Sequence, residues 1–166
     1  MQNYNFKLDD FCTVKGRSGL IITFFEKFPE QYIKDKSLTN ISKEKVKSIL
    51  KKPFYLSKKL DIEIKYKNSD YFFTIPAGYD WNGANVPPCF WLLIGQQKEP
   101  RFKLPSCVHD YICENKNVIN HNRYLSSLVF EALCEYFGRF NKVKRWAMFH
   151  SVDNFQKIQK GWKKLH

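Results

Sequence analysis

Three residues with chemically useful side chains lie close together in the second half of the chain. His109 and Asp110 are adjacent, and Cys113 follows His109 by four residues, which places the imidazole and the thiol on one face of a helix. Imidazole and thiolate are common zinc ligands, and a histidine beside a carboxylate suits acid–base catalysis. The spacing gives two hypotheses: a metal site that contains His109 and Cys113, and a catalytic site that contains His109, Asp110 and Asn82.

A metal site would need more ligands than these two. Asp110, His121 or His150 could complete a shell around His109 and Cys113. Metal-dependent phosphohydrolases that carry a His-Asp pair also need a histidine upstream of it, and this chain has none before His109. We therefore expect no cofactor, with a divalent metal as the alternative.

A cysteine nucleophile is a third hypothesis, and a structural role is the fourth. Cys107 or Cys113 could be activated by His109, but a further group must then orient the imidazole, and the sequence does not identify one. In the structural alternative, His109 is a core histidine bonded to the turn around Asn82, and Cys113 is a small buried apolar residue. The five cysteines form no Cys-x-x-Cys pair, which favours reduced thiols.

A turn upstream of the His-Asp pair is predicted to organise the domain. Asn82, Gly83 and Asn85 are residue types that tolerate positive φ and tie down backbone groups. We expect this turn to fold back on the helix that carries His109, with Trp81 and Trp91 closing the contact.

The first half of the chain predicts strands. Residues 3–28 read as short strands around a turn at residues 15–19. Apolar residues alternate with charged ones over residues 60–66, the turn residues 68–70 follow, and residues 71–75 are aromatic or β-branched, which together predict a hairpin. Between these strands, a lysine-rich helix from Thr39 or Ser42 to Lys51 is expected to bury Ile41, Val46, Ile49 and Leu50.

The second half predicts helices. A short helix is expected over residues 89–94, and another begins near Pro105-Ser106, where the serine caps it. A helix over residues 124–137 ends at Gly138, and a last helix over residues 141–159 buries Val143, Trp146, Ala147 and Ile158. This order predicts an α+β fold over one domain, residues 1–166, in which a small antiparallel sheet in the N-terminal half is packed by three to four C-terminal helices.

The positive charge flanks the motif region. The net charge is +12, and residues 31–70 contribute +6, residues 71–138 contribute −1 and residues 139–166 contribute +7. Clustered lysine suits contact with nucleic acid or an acidic protein, although a solvated surface gives the same composition. The predicted binding residues are Lys43, Lys45, Lys47, Lys51 and Lys52 in the first helix, and Lys142, Arg145, Lys160, Lys163 and Lys164 near the C-terminus.

The order of these motifs resembles a small bacteriophage and prophage family that is catalogued only as a domain of unknown function. The resemblance covers roughly residues 71–162 and leaves the N-terminal strands and lysine-rich helix of residues 1–70 outside it. It is carried by the segments Ile75-Pro76-Ala77-Gly78-Tyr79, Asn82-Gly83-Ala84-Asn85-Val86-Pro87, Phe90-Trp91-Leu92-Leu93-Ile94-Gly95 and His109-Asp110-Tyr111.

The chain departs from the family pattern at acidic positions. The pattern has an aspartate where this chain has Asn82, a serine at Asn85, and an aspartate near Ser126, whereas His109 and Asp110 are retained. If the acidic groups hold a metal or act as acid and base, two of three carboxylates are missing, which affects activity more than fold.

Two functional hypotheses follow. The first, implied by the phage setting and the basic flanks, is a phage-encoded structural or accessory protein, such as a virion, tail or assembly component, that binds other phage proteins through basic surfaces, with DNA as an alternative partner. The second is a metal-assisted hydrolase with a degenerate His-Asp site. We expect synthesis in the host cytoplasm and then a place in the virion, because the sequence shows no secretory signal and no apolar run near the ~20 residues that span a bilayer.

Overall fold

The computed structural model describes residues 11–39, 42–83, 100–158 and 161–162. These residues form an antiparallel sheet in the N-terminal half and helices mainly in the C-terminal half, so the predicted α+β class is confirmed. The strands are β1 Cys12–Lys15, β2 Ile21–Phe24, β3 Ile33–Asp35, β4 Phe54–Leu56, β5 Leu60–Tyr66, β6 Ser69–Ile75 and β7 Asp80–Trp81. The α-helices are α1 Lys43–Lys51, α2 Lys103–Glu114, α3 Arg123–Tyr136 and α4 Lys142–Ile158.

The main sheet has four antiparallel strands in the order β1-β2-β5-β6. Along β5 every second side chain is buried, and Leu60, Ile62 and Ile64 are fully buried, which confirms the alternation read from the sequence. β5 and β6 pair from Tyr66 opposite Ser69 to Leu60 opposite Ile75, so β6 begins two residues earlier than predicted.

A second sheet of three short strands has the order β3-β4-β7. It holds Trp81 opposite Phe54, and their ring centroids are 5.7 Å apart. The indole nitrogen of Trp81 donates a 3.0 Å hydrogen bond to Ser106 Oγ on α2. The predicted contact between the Trp81 turn and the His109 helix is therefore present at Trp81, whereas Trp91, Asn85 and the helix predicted over residues 89–94 lie outside the described residues.

The start of α2 differs from the prediction. The helix begins at Lys103, directly after a 3₁₀ turn over Pro100–Phe102. Pro105 is tolerated in the first helical turn because the N–H groups there have no acceptor within the helix, so a proline loses no hydrogen bond. Ser106 does not cap the helix. Its hydroxyl donates to the carbonyl of Lys103 at 3.1 Å and accepts from Trp81 instead.

α3 ends as predicted near Gly138, but for a different physical reason. The left-handed residue after the helix is Arg139, with φ of 50°. Gly138 is needed because a Cβ there would lie 2.4 Å from Cε2 of Phe140 and 2.7 Å from the Cys134 carbonyl oxygen. The close approach of Phe140 thus excludes any side chain at Gly138.

The buried face of α4 was predicted wrongly. Ala147 is buried, but Val143, Trp146 and Ile158 are each more than 60% exposed. The face that packs on the protein instead carries both apolar and polar side chains: Ala147, Met148, Phe149, Asp153 and Gln156. No described helix is long and apolar enough to cross a membrane.

Candidate functional site

α2 is held in place by core packing and by the contacts of Tyr111 with β6. Val108 and Ile112 are fully buried in the main core. The ring of Tyr111 stacks on Phe73 with centroids 5.8 Å apart, and its hydroxyl donates to the Thr74 carbonyl at 2.9 Å. With this orientation fixed, His109 and Cys113 face α3 and α4.

Both ring nitrogens of His109 have protein partners. Nε2 lies 2.7 Å from Nε2 of Gln156 and 3.5 Å from Sγ of Cys113, and Nδ1 lies 3.6 Å from Oδ1 of Asp110. The ring also packs against Phe130, with centroids 5.0 Å apart, and the side chain is only 13% exposed. His109 is therefore enclosed by α2, α3 and α4.

Gln156 joins the three helices and was missed in the sequence. Its amide nitrogen lies 3.1 Å from Ser126 Oγ and 3.3 Å from Cys113 Sγ, and Ser127 Oγ donates to its amide oxygen at 3.3 Å. The sequence held one signal that Gln156 is buried: it lies seven residues, or about two helical turns, after Phe149 and therefore on the same helical face as that buried ring. We call the six residues of this network the His109 cluster: His109, Asp110, Cys113, Ser126, Ser127 and Gln156.

An ion pair extends the cluster along α4. Asp153 is buried, accepts from Arg123 of α3 through its carboxylate, and its main-chain carbonyl accepts from the same guanidinium at 3.0 Å. Lys157, four residues further along the same helix, lies 3.2 Å from the other carboxylate oxygen. α4 is thus fixed to α3 by charge as well as by hydrogen bonds.

The charge state of His109 is coupled to the orientation of the Gln156 amide. Burial lowers the pKa of His109, but Cys113 and Asp110 outweigh it and raise the pKa to about 10. A charged imidazole carries a proton on Nε2, so the amide oxygen of Gln156 must face Nε2, and the amide nitrogen then donates to Ser127 Oγ. A neutral imidazole with Nε2 unprotonated accepts a hydrogen bond, so the amide nitrogen must face Nε2 instead. Both arrangements satisfy the cluster, and they differ by one proton and one amide rotation.

The cluster has few groups for a metal. Among the residues that the structure describes, no three His, Cys, Asp or Glu side chains lie close enough to hold an ion. His109 and Cys113 are brought together as predicted, but Gln156 also contacts both. The metal hypothesis would therefore require a ligand from outside the described segments, and His109 and Cys113 as metal ligands stay a prediction.

The order of groups around His109 also matches a thiol nucleophile. Cys113 Sγ, the imidazole and the Asp110 carboxylate lie in sequence, so Asp110 occupies the place of the orienting group that the sequence did not identify. Cys107 does not share this arrangement, since it is fully buried, and burial followed by the Asp110 charge raises the pKa of its thiol. Cys12 and Cys134 are likewise buried free thiols.

Asn82, the third residue of the predicted catalytic site, belongs to the turn after β7. It follows Trp81 at the end of β7 and is partly buried. Its contact with His109 stays a prediction.

A cluster of ion pairs lies next to the C-terminal residue of α2. Lys52 reaches both Asp80, at 3.2 Å, and Glu114, at 3.9 Å, and Lys36 donates to Asp80 at 2.7 Å. Burial acts to raise the pKa of Asp80, but the hydrogen bonds from the two lysines hold it below its usual value. Lys52, predicted to bind a partner, is therefore already paired within the protein.

The other basic residues predicted to bind a partner differ in their exposure to solvent. Lys45, Lys47, Lys51 and Lys142 are exposed, as is Leu50, which was expected to be buried. Arg145 was expected to face outward but is only 20% exposed and pairs with Glu135 of α3. Lys43 begins α1 with its side chain outside the described set, and Lys160, Lys163 and Lys164 lie outside the described residues.

Removing the Gln156 amide should destabilise the protein even when the volume is kept. We expect Gln156→Met to lose about 1–3 kcal/mol of unfolding free energy, because buried groups of the cluster are left without partners. Asn154→Ala, on the exposed side of the same helix, should change stability by less than about 0.5 kcal/mol. Urea denaturation measures both, and equal stability of Gln156→Met and the unmodified protein would show that the amide is dispensable.

The raised pKa of His109 predicts a loss of stability at alkaline pH. The charged form is favoured in the folded state, so its contribution is complete below the unfolded pKa of about 6.5 and is lost as pH rises toward the folded value of about 10. The slope from this group cannot exceed about 1.4 kcal/mol per pH unit. His109→Gln should flatten the decline in unfolding free energy between pH 6.5 and 10, and His150→Gln, at an exposed position, should not. Parallel curves for His109→Gln and the unmodified protein would contradict the shift.

Comparison with known proteins assigns a family without a function. A protein from Sinorhizobium fredii (strain NBRC 101917 / NGR234), "Uncharacterized protein y4jT", is 31% identical over 100 residues, which cover 53% of this chain and 27% of that protein. The chain therefore spans much less than half of this relative. No solved structure matches the chain significantly.

A family described as "Protein of unknown function (DUF1353)" matches residues 58–152. This match begins earlier than the predicted resemblance and includes the β5–β6 hairpin. Because this match covers more than half of the chain, the protein belongs to the DUF1353 family.

Proposed function

We propose that this protein is a phage-encoded accessory protein that binds other phage proteins through the exposed lysines of α1. The observation that supports this proposal is a contrast between two groups of residues. The polar side chains of the His109 cluster bond to one another inside the protein, whereas Lys45, Lys47 and Lys51 are exposed on one short helix. The charge available for a partner therefore lies on α1.

α1 is suited to present charge. Ser42 caps it by accepting from the Lys45 amide at 3.4 Å, and Ile49 is the side chain that anchors it in the protein. Within the described residues, Lys45, Lys47 and Lys51 form no ion pair with a carboxylate. Leu50 is also exposed, three residues after Lys47, so α1 offers an apolar contact next to positive charge, with Glu44 as the helix's acidic residue. An acidic protein surface is the partner that such a patch fits.

The phage setting rests on the motif resemblance alone, since the family match over residues 58–152 supplies neither a role nor a source. The replacement of acidic residues by Asn82 and Ser126 also favours binding over catalysis, because these side chains cannot act as carboxylate ligands or bases at neutral pH.

Cross-linking of assembled particles tests this function. Particles produced from the encoding genome are treated with an amine-reactive cross-linker, and we expect cross-links from Lys45, Lys47 or Lys51 to a second phage-encoded protein. Lys45→Glu/Lys47→Glu should lower incorporation, because it reverses the local field. Lys15→Glu/Lys34→Glu, which also takes the net charge from +12 to +8 at exposed strand positions, should not. Absence of the protein from particles and assembly intermediates, or equal loss in both variants, would overturn the proposal.

A hydrolase is the second candidate, and the thiol–imidazole–carboxylate order of Cys113, His109 and Asp110 favours it. It could work through a metal held by His109 and Cys113 with ligands from outside the described segments, or through the thiol itself.

Metal content and thiol reactivity separate the hydrolase from the accessory protein. If the protein is only an accessory protein, purified material should contain far less than one zinc or manganese per chain, and Cys113 should react with iodoacetamide no faster than an ordinary thiol. Stoichiometric metal that is lost together with stability in His109→Ala, but retained in His150→Ala, would establish the metal site. Alkylation of Cys113 that is fast and dependent on His109 would establish the activated thiol.

A further inference from the structure

The outer face of α4 carries exposed apolar side chains. Val143, Trp146 and Ile158 are each more than 60% exposed and Phe155 is 43% exposed, so α4 holds four of the nine large exposed apolar residues in the described part of the chain. At about 3.6 residues per turn, Val143, Trp146 and Ile158 fall within roughly 120° of the helix circumference, and Phe155 lies at the edge of that sector. Single exposed apolar residues are usual on a protein surface, whereas several on one helix indicate a binding surface. We call these four residues the α4 outer row.

Trp146 is the largest side chain of the row, and His150 packs beside it. The two ring centroids are 4.5 Å apart, and both residues are exposed. Within the described part of the chain, the indole N–H of Trp146 donates no hydrogen bond. An indole with an exposed apolar body and an available N–H suits the boundary between lipid tails and water, where tryptophan is enriched.

Positive charge lies on both sides of the row near the start of α4. Lys142 and Lys144 are the sequence neighbours of Val143, so their side chains leave the helix about 100° from it, one on either side. Among the residues that the structure describes, neither lysine forms an ion pair with a carboxylate. Residues 139–166 have a net charge of +7, and their one acidic residue, Asp153, is buried in ion pairs. The α4 outer row therefore suits an anionic partner.

We propose that the outer face of α4 binds the surface of an anionic lipid bilayer. Val143, Trp146 and Ile158 insert among the lipid headgroups, and Lys142 and Lys144 contact the lipid phosphates. Apolar and aromatic side chains combined with lysine are typical of helices that lie in the plane of a membrane interface. This surface shares no residue with the His109 cluster or with α1.

Shape and area favour lipid over a second copy of the chain or another protein. Side chains that are more than 60% exposed project from the helix, so a protein partner needs a groove to receive them, whereas a lipid surface deforms around them. An aromatic side chain offers roughly 150–250 Å², so the row offers on the order of 400 Å², about half of the ~800 Å² that each partner of a standard protein interface buries. Two copies would also bring Lys142 and Lys144 of both chains onto one interface.

Cosedimentation of the full chain with vesicles tests the proposal. We expect binding to vesicles of phosphatidylglycerol mixed with phosphatidylcholine, and weaker binding to vesicles of phosphatidylcholine alone. Trp146→Ala should weaken binding to the anionic vesicles by roughly tenfold or more, because the indole is the largest apolar group that leaves water. Lys142→Gln/Lys144→Gln should weaken it by roughly ten- to thirtyfold, since each lysine near an anionic bilayer contributes about fivefold.

Two variants away from α4 are matched controls. Lys45→Gln/Lys47→Gln on α1 also lowers the net charge from +12 to +10, and Phe72→Ala on β6 removes a ring that is as exposed as Trp146. Each control should keep the affinity for anionic vesicles within about twofold of the unmodified protein, because charges beyond a Debye length from the bilayer are screened. Circular dichroism confirms that each variant is folded.

Quenching of tryptophan emission by lipids with brominated acyl chains reports whether Trp146 enters the bilayer. Trp146→Phe keeps a ring in the row, so it should still bind anionic vesicles but lose most of the quenching. Absence of vesicle binding, equal loss in the α1 control, or unchanged binding in Trp146→Ala would each overturn the proposal. A dimer in analytical ultracentrifugation that is lost in Trp146→Ala would assign the row to a second copy instead. Tighter binding of a helical leucine–glutamate peptide than of the vesicles would assign it to an acidic protein, and either result contradicts the lipid surface.

Discussion

The hydrogen bonds of the Gln156 amide to α2 and α3 are the constraint on which the packing of the helical half depends. Gln156 is almost fully buried, so its amide must be satisfied by protein groups, and it reaches His109, Ser126 and Ser127. A buried polar group without a partner costs about 1–3 kcal/mol, which is a large share of the stability of a domain of this size. Turning α4 by one residue would rotate the amide by about 100° out of the cluster. The cluster therefore selects one arrangement of α4.

This selection explains features that apolar burial alone does not. With Gln156 directed inward, Asp153 lies one turn away on the same face and meets Arg123 of α3. The same rotation leaves Val143 and Trp146 in solvent. Apolar packing is retained nearer the start of the helix, where Met148 joins the smaller core cluster of Phe102, Phe130, Cys134, Phe140 and Ala147. Apolar contacts near the start of α4 and polar contacts nearer its end thus hold the helix against the rest of the protein.

Elements with a clear period and local partners could be predicted from the sequence, whereas elements fixed by distant partners could not. β5 and α3 were predicted because their buried side chains recur at intervals of two and of three to four residues. The face of α4 was predicted wrongly because Asp153 and Gln156 count as solvent-facing in any hydropathy pattern, yet they are buried. The pairing of His109 with Cys113 followed from their spacing, but nothing local links either of them to Gln156, 47 residues away from His109.

Ser126 connects the departure from the family pattern with the geometry of the cluster. The motif resemblance places an aspartate near this position, and Ser126 Oγ lies 3.1 Å from the Gln156 amide that contacts His109. A carboxylate here would join Asp110 beside the imidazole and give a histidine with two acidic neighbours, the composition of an acid–base or metal site. A serine supplies one donor and lone pairs but no charge, so this chain has a hydrogen bond to Gln156 where the pattern has a carboxylate. Ser126 thus takes part in the packing of α3 against α4 through the Gln156 amide, whereas an aspartate at this position would add a negative charge beside that amide.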